Sequence, residues 1–186
     1  MKPRGPLMVE HRLIEQMVAV INNQRAVMLA KDHFDPIFID AVADFFKTYA
    51  DRTHHGKEEE ILFRDLAKKN LSPEDRRSMQ ELVEEHKFAR KKVNELLQAK
   101  EDFTAGKNGA LKTLKTLLES MTALVEFYPE HIRREDEVFF PDTEKYFTKT
   151  EMDAMLDEFW EFDKKMIHEK YQRVVEHWKP VQLPEN

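Results

Sequence analysis

The spacing of the apolar residues constrains this fold most strongly, because it repeats every three or four positions along several long segments. Such a period places apolar side chains on one face of an α-helix. Only four glycines occur in 186 residues, which also favours long helices. The clearest stripe contains Leu114, Leu117, Met121, Leu124, Tyr128, His131, Glu135 and Val138.

Helix-capping residues divide the chain into five predicted helices. Asp35-Pro36 and Ser72-Pro73 combine an N-cap with a proline in the first turn, and Thr148 caps the last helix. The predicted helices span about 6–31, 36–70, 73–103, 110–140 and 149–178, the fourth stopping at Pro141. We therefore expect an all-α, up-down-up-down four-helix bundle with an additional C-terminal fifth helix.

These boundaries give an expected domain organisation. Residues 1–142 form the bundle, and 143–179 form an appended helix that packs on the bundle or in a dimer. Residues 180–186 are expected to be a flexible tail. The fifth helix is therefore the expected contact for a homodimer or a partner protein.

The composition narrows the chemistry that the chain can carry. Cysteine is absent, which excludes disulfides, iron–sulfur clusters and thiol catalysis, so any metal must be held by His, Asp or Glu. The net charge of -6 gives no basic surface for nucleic acid. The sequence contains no run of about 18 apolar residues, so no membrane span is predicted. Its first residues lack the apolar core of a signal peptide. We expect a cytoplasmic protein.

An internal repeat relates the two halves of the bundle. Residues 54–63 align with residues 131–140, so that His54 lies over His131 and Glu58 over Glu135. Upstream of these segments, Glu10-His11 aligns with Glu85-His86. The chain therefore predicts two helical hairpins related by a pseudo-twofold axis, which converges six side chains at one end of the bundle.

The converging side chains predict a metal centre. In a helix, residues i and i+4 point the same way, so each His-xxx-Glu pair can bind one ion. Four imidazoles and two carboxylates are too many donors for one ion and suit two ions with the carboxylates bridging. This donor set favours iron, manganese or zinc over magnesium or calcium. The predicted ligands are His11, His54, Glu58, His86, His131 and Glu135.

The adjacent histidines at 54 and 55 leave one choice open. Steps of one helical turn back from His54 meet mainly apolar residues, whereas the same steps back from His55 meet mainly polar ones. We therefore prefer His54 and Glu58 over His55 and Glu59 as ligands. His55 is expected to lie beside the ligands or to be exposed.

The pattern resembles the hemerythrin-like (HHE cation-binding) family over about residues 5–142. The resemblance rests on Glu10-His11, Glu85-His86 and the two His-xxx-Glu segments with their Ile-Leu-Phe and Val-Phe-Phe continuations. It implies a non-haem di-iron centre with carboxylate and oxo or hydroxo bridges. The four histidines would be terminal iron ligands, and Glu58 and Glu135 would bridge the two ions.

One position departs from the oxygen-carrying members. These proteins place a second histidine one turn after the third-helix ligand, where this chain has Arg90. The site therefore resembles the subgroup with four histidines and two glutamates, in which an additional coordination position is open or filled by water. Arg90 either faces the site and stabilises a bound anion or forms a surface pair with Glu85 or Asn94.

The remaining candidates lie around this centre. Tyr128 is the best candidate for a residue touching the ligands, and Tyr49 and the Phe pairs at 45–46 and 139–140 wall the pocket or pack in the core. Three histidines lie outside the repeat and are expected to be structural or exposed: His33, His168 and His177.

The resemblance implies a protein that binds a small oxidant, namely oxygen, nitric oxide or peroxide, for sensing, storage or detoxification. The alternative is a redox enzyme that turns over peroxide or nitric oxide, or donates iron to repair iron centres. A metal-free helical interaction module is the third hypothesis. No acid–base set stands apart from the ligands, so we assign no catalytic residue and favour binding.

Overall fold

The computed structural model describes residues 2–164 and 167–179, and these form helices without a strand. The all-α prediction is confirmed. No helix in these two ranges is long and apolar enough to cross a membrane. The predicted tail, 180–186, lies outside the described residues.

The first hairpin consists of two helices that begin and end close to the predicted residues. Helix α1 spans Arg4–Lys31 and ends at Asp32, which adopts the left-handed conformation. Helix α2 is preceded by Asp35, whose side chain accepts a hydrogen bond from the Ile37 N–H. It runs through Pro36–Asp44, the π-helical segments Phe45–His55 and Glu58–Phe63, and Arg64–Leu66.

The second hairpin repeats this arrangement. Helix α3 spans Pro73–Thr104, with Ser72 accepting a hydrogen bond from the Asp75 N–H. Helix α4 begins with Ala110–Arg134 and continues through π-helical Glu135–Phe139 into Phe140–Thr143. It therefore passes Pro141, where we expected it to stop. Pro141 lies close to the junction of the π-helical and the last α-helical segment, and it lacks the N–H that would bond to the preceding turn.

The C-terminal part forms two helices, so the prediction of one continuous fifth helix was wrong. Helix α5 spans Lys149–Asp163, with a complete capping box at Thr148, and helix α6 spans Ile167–Trp178. Lys164 leaves the helical conformation, with φ -46° and ψ 122°, and ends α5. Asp163, the last residue of α5, pairs with Lys57 of α2.

Contacts between neighbouring helices show that they run antiparallel. Between α1 and α4, they progress from Arg25 with Thr122 to His11 with Asp136. The α2–α3 contacts progress likewise, from Asp40–Lys100 to Asp51–Arg90. Helices α1 to α4 thus form a bundle, and α5 and α6 pack against its first hairpin.

The core consists of two apolar clusters at different levels of the bundle. On α1, Leu7 belongs to one cluster and Ile14 to the other. On α3, Leu82 and Ala89 are divided in the same way. The level between them, one turn from each, is therefore the level of the histidines.

The π-helical segments change which residues face the core. A π-helix adds a residue to a helical turn, so the apolar phase shifts by one position after it. The predicted stripe on α4 placed Val138 inside, but Val138 is 45% exposed and Phe139 is buried. The prediction for Val138 was wrong because it assumed a continuous α-helix.

Candidate metal centre

The six predicted ligands lie together between the two apolar clusters, and all are at least 97% buried. Glu58 lies between His54 and His86, with its oxygens 3.6 Å and 3.3 Å from their Nε2 atoms. Glu135 Oε2 lies 3.2 Å from His11 Nε2 and 3.4 Å from His131 Nε2. Each carboxylate therefore lies between imidazoles of both hairpins.

The outer nitrogen of each predicted histidine ligand is hydrogen-bonded to a carboxylate. The pairs are His11–Asp136 at 2.7 Å, His54–Glu10 at 2.8 Å, His86–Glu59 at 2.6 Å and His131–Glu85 at 2.7 Å. An ionised carboxylate only accepts, so Nδ1 carries a proton, and Nε2 points to the centre, where its lone pair would bind a metal ion. This orientation is the one that metal-binding histidines require.

The four carboxylates follow the internal repeat. Glu10 and Glu85 precede the first histidine of each hairpin and hold the second histidine of the same hairpin. Glu59 and Asp136 follow Glu58 and Glu135, the two central glutamates, and each bonds to a histidine of the other hairpin. The repeat therefore specifies the supporting residues as well as the six predicted ligands.

Each supporting carboxylate is paired with a cationic side chain. Arg12 pairs with Asp136, Arg90 with Glu59, Arg134 with Glu85 and Lys57 with Glu10. Lys57 differs from the arginines because it is fully buried, and Asp163 of α5 accepts a second bond from it at 2.7 Å. The C-terminal helices thus contact the support of His54.

The two central carboxylates have different charge environments. Burial and the charges of Glu135 and Glu10 raise the pKa of Glu58 well above its usual value. Burial also acts to raise the pKa of Glu135, but His131, His11 and His86 outweigh it and the pKa falls well below its usual value. Without a cation, burial and the neighbouring carboxylates therefore favour the protonated form of Glu58, whereas bound metal ions would favour its carboxylate form.

The inward-facing atoms of the cluster test whether metal ions fit. Within the described part of the chain, the four inner Nε2 atoms and all four oxygens of Glu58 and Glu135 have no hydrogen-bond partner. Buried polar atoms without partners destabilise a fold, and metal ions would satisfy them. The donor set therefore fits two cations of the kind that imidazole and carboxylate bind.

His55 lies beside the predicted ligands, which was the first of the two alternatives, and it is not exposed. Its ring is 1% exposed and stacks on His86, with ring centroids 3.8 Å apart and planes 9° apart. Both of its nitrogens lack a hydrogen-bond partner among the described residues. Burial and the neighbouring imidazole of His86 hold its pKa well below the usual value, so the ring is neutral.

The donor atoms fall into two groups, within each of which they lie no more than 4.8 Å apart. One group contains His11, His54, Glu58 and Glu135, and the other contains His55, His86 and His131. A third group, Glu10, Asp163 and His168, surrounds the ammonium of Lys57. Because Lys57 already supplies a positive charge there, this third group does not need a metal ion.

Arg90 does not form the predicted surface pair, and its stabilisation of a bound anion stays a prediction. Its guanidinium bonds to Asp51 at 2.6 Å and to Glu59 at 2.7 Å, not to Glu85 or Asn94. It borders a cavity of about 150 Å³ that also touches His55 and Tyr128. Arg90 therefore supports His86 through Glu59 and lies at the edge of a small space beside the cluster.

The other predicted residues have mostly structural contacts. Tyr128 is buried, with its ring near Phe46 and His131. Tyr49 is buried and hydrogen-bonds to His168, at 2.8 Å. The remaining residues expected to be structural or exposed, His33 and His177, are both exposed.

Sequence reasoning missed several residues of this centre. The Glu or Asp after each central glutamate was visible in the repeat, since Glu59 aligns with Asp136. Lys57 likewise aligns with Arg134, which predicts equivalent partners for both. No comparable signal marks His55, because its counterpart is Ile132.

Comparison with protein families agrees with the geometry. A family model described as "Hemerythrin HHE cation binding domain" matches residues 6–142 and also residues 79–182. The first match covers both hairpins, and the second begins within α3. No curated protein and no solved structure matches the chain significantly.

Proposed function

Since the chain belongs to the hemerythrin HHE cation-binding domain family, we propose that it holds two iron ions and binds a small oxidant there. In this proposal His11 and His54 hold one ion, His86 and His131 hold the other, and the two central glutamates bridge them. The oxidant is oxygen, nitric oxide or peroxide, and the role is sensing, storage or detoxification.

The observation that carries this proposal is that the two ring nitrogens of each predicted histidine ligand differ in their hydrogen bonding. In each of the four predicted histidine ligands, Nδ1 has a carboxylate acceptor, while the inner Nε2 is buried without a partner in the described residues. Packing alone gives no reason to orient four rings in this way. A pair of ions supported by hydrogen-bonded imidazoles does.

The protein's own residues fix and insulate the centre. The supporting carboxylates make the imidazoles better donors, and their cationic partners keep those carboxylates ionised. The two apolar clusters on either side restrict access of water. Iron ions bound here would supply the capacity to exchange electrons with a small oxidant.

The small cavity favours binding of a small molecule over processing of a larger substrate. Its volume is about 150 Å³, and it extends from the half-buried Asp51 and Arg90 to the buried His55 and Tyr128. A diatomic molecule, peroxide or another small ligand fits such a space. The ionisable groups of the cluster all serve as inward donors or support them, which favours a binding protein over a dedicated enzyme.

Iron analysis tests the centre. We expect about two iron ions per chain after anaerobic loading with ferrous iron and removal of the excess. Glu58→Gln should lose iron because an amide is a poor bridging ligand, whereas Glu60→Gln, on the exposed side of the same helix, should retain it. Wild-type protein that folds but binds no iron would refute the proposal.

Optical spectroscopy then separates binding from turnover. The reduced, iron-loaded protein is exposed in turn to oxygen, nitric oxide and peroxide. A spectral change that reverses when the ligand is removed supports a sensor, store or carrier. Rapid consumption of many equivalents per chain supports the redox enzyme instead and contradicts the binding role.

A further inference from the structure

We propose that His55 is a seventh ligand of the centre and binds the same ion as His86 and His131. The inference rests on the proposed iron centre and adds a fifth imidazole to it. The two ions would then differ, one with three imidazoles and the other with two.

The first support is that His55 is the only one of the five central imidazoles with neither ring nitrogen hydrogen-bonded in the described residues. Its closest carboxylate oxygen, Asp51 Oδ1, is 3.5 Å from Nδ1 and is bonded to Arg90. Burying a polar ring without partners is destabilising. A metal ion on one nitrogen would remove most of that cost.

The second support is position. The ring of His55 stacks on that of His86 and lies 5.9 Å from that of His131 in an edge-on arrangement. Donor atoms of these three histidines all lie within 4.8 Å of one another. The two groups of donors therefore place His55 on one side of the centre and His11 with His54 on the other.

The third support is the local backbone. Residues Phe45–His55 form a π-helix, and the adjacent His54 and His55 at its end are both buried. The equivalent segment of the second hairpin is α-helical and carries Ile132 in place of His55. The first hairpin thus has an irregularity and a histidine that the repeat does not explain, and both occur at the cluster.

A consequence follows for the small ligand. The expected additional coordination position at the His86–His131 ion, inferred from Arg90, would be filled by His55. The open position would then belong to the ion held by His11 and His54. The cavity beside His55 would serve as an approach to the centre rather than as a vacant coordination position.

The test replaces His55 by phenylalanine, which keeps a stacking ring but has no donor atom. In the metal-free protein, we expect His55→Phe to be at least as stable as the wild type, because a buried polar group without partners is removed. In the iron-loaded protein, we expect loss of one ion, or a decrease of more than about a hundredfold in its affinity. That decrease exceeds the usual effect of removing a supporting residue around a metal.

A second variant keeps the test informative if the first does not fold. His55→Ala leaves space beside the cavity, so added imidazole should restore the lost iron, whereas toluene should not. His33→Ala, at an exposed histidine in a loop, is the control and should bind two ions.

A readout independent of iron content counts the imidazoles directly. In the cobalt(II)-loaded wild type, paramagnetically shifted proton NMR should show exchangeable N–H signals from five imidazoles. Four such signals, or two tightly bound ions in His55→Phe, would overturn the inference and leave the proposed iron centre standing. Absence of metal from the wild type would instead defeat both.

Discussion

Lys57 offers the sharpest stability test, because the chain contains a matched control at the equivalent position of the repeat. Lys57 is fully buried, and its ammonium pairs with Glu10, which is 1% exposed, and with Asp163. Arg134 occupies the equivalent position and pairs with Glu85, but both side chains of that pair are about a quarter exposed. The two pairs have the same connectivity and differ in burial.

The expected effects follow from this difference. Lys57→Met keeps the apolar stem but leaves Glu10 buried without its cation, which should lower the free energy of unfolding by about 3–5 kcal/mol. Arg134→Met breaks a solvated pair and should cost at most about 1 kcal/mol. At roughly 2–4 °C per kcal/mol for a chain of this size, the melting temperatures of the two variants should differ by roughly 10 °C.

The measurement is urea unfolding of the metal-free variants, followed by far-UV circular dichroism and by tryptophan fluorescence. Coincident transitions from the two probes justify a two-state analysis. Adding Glu10→Gln to Lys57→Met should recover at least half of the loss, because the uncompensated charge is removed as well. Equal losses in Lys57→Met and Arg134→Met would refute the assignment of the cost to burial.

Three further results are expected. Tyr49→Phe removes the hydroxyl that bonds to His168, which should lower the free energy of unfolding in urea by about 1 kcal/mol. An unchanged free energy of unfolding would show that this hydrogen bond contributes nothing. Removal of iron by a chelator should lower the melting temperature reversibly, since binding to the folded state alone is stabilising, and a melting temperature independent of iron would contradict the buried centre. Burial lowers the pKa of His11, but Asp136 and Glu135 outweigh it and raise the pKa to about 9. The protonated His11 thus contributes its full stabilisation to the metal-free protein below about pH 6.5, and this stabilisation is lost as the pH rises through 9. At pH 7.5, metal binding should therefore release a proton from His11. A pH indicator in weak buffer can detect that proton.

Much of the fold could be predicted from local chemistry. Asp35 and Ser72 act as N-caps in the structure as the sequence indicates, because their side chains bond to free N–H groups of the first turn. The repeat also located the centre, since equal spacing in two hairpins brings equivalent residues to the same level. The roles of these residues as iron ligands remain predictions.

The rest depends on backbone geometry that apolar spacing does not reveal. Adjacent residues of an α-helix point about 100° apart, so only one of His54 and His55 was expected to face inward. Both are buried, as are their counterparts His131 and Ile132 on an α-helical segment, because helices pack on both sides of each pair. On α4, the π-helical segment places Phe139 in the core in place of Val138. No Gly or Pro marks the break after Asp163 in the sequence; on either side of it, Asp163 bonds to Lys57 and His168 bonds to Tyr49.

Two departures from the internal repeat, at His55 and at Lys57, make the two halves of the cluster different from each other. A strict repeat would give two equivalent ions, because each hairpin would contribute the same donors and supports. The first hairpin instead carries His55 where the second has Ile132, and buried Lys57 where the second has the partly exposed Arg134. Helices α5 and α6 pack mainly on the first hairpin. They reach Glu10, the support of His54, through His168 directly and through Asp163 by way of Lys57. The two sides of the cluster therefore differ both in their imidazoles and in their connection to the rest of the chain. In the proposed two-iron centre, this difference would favour one ion over the other as the place where a small ligand binds.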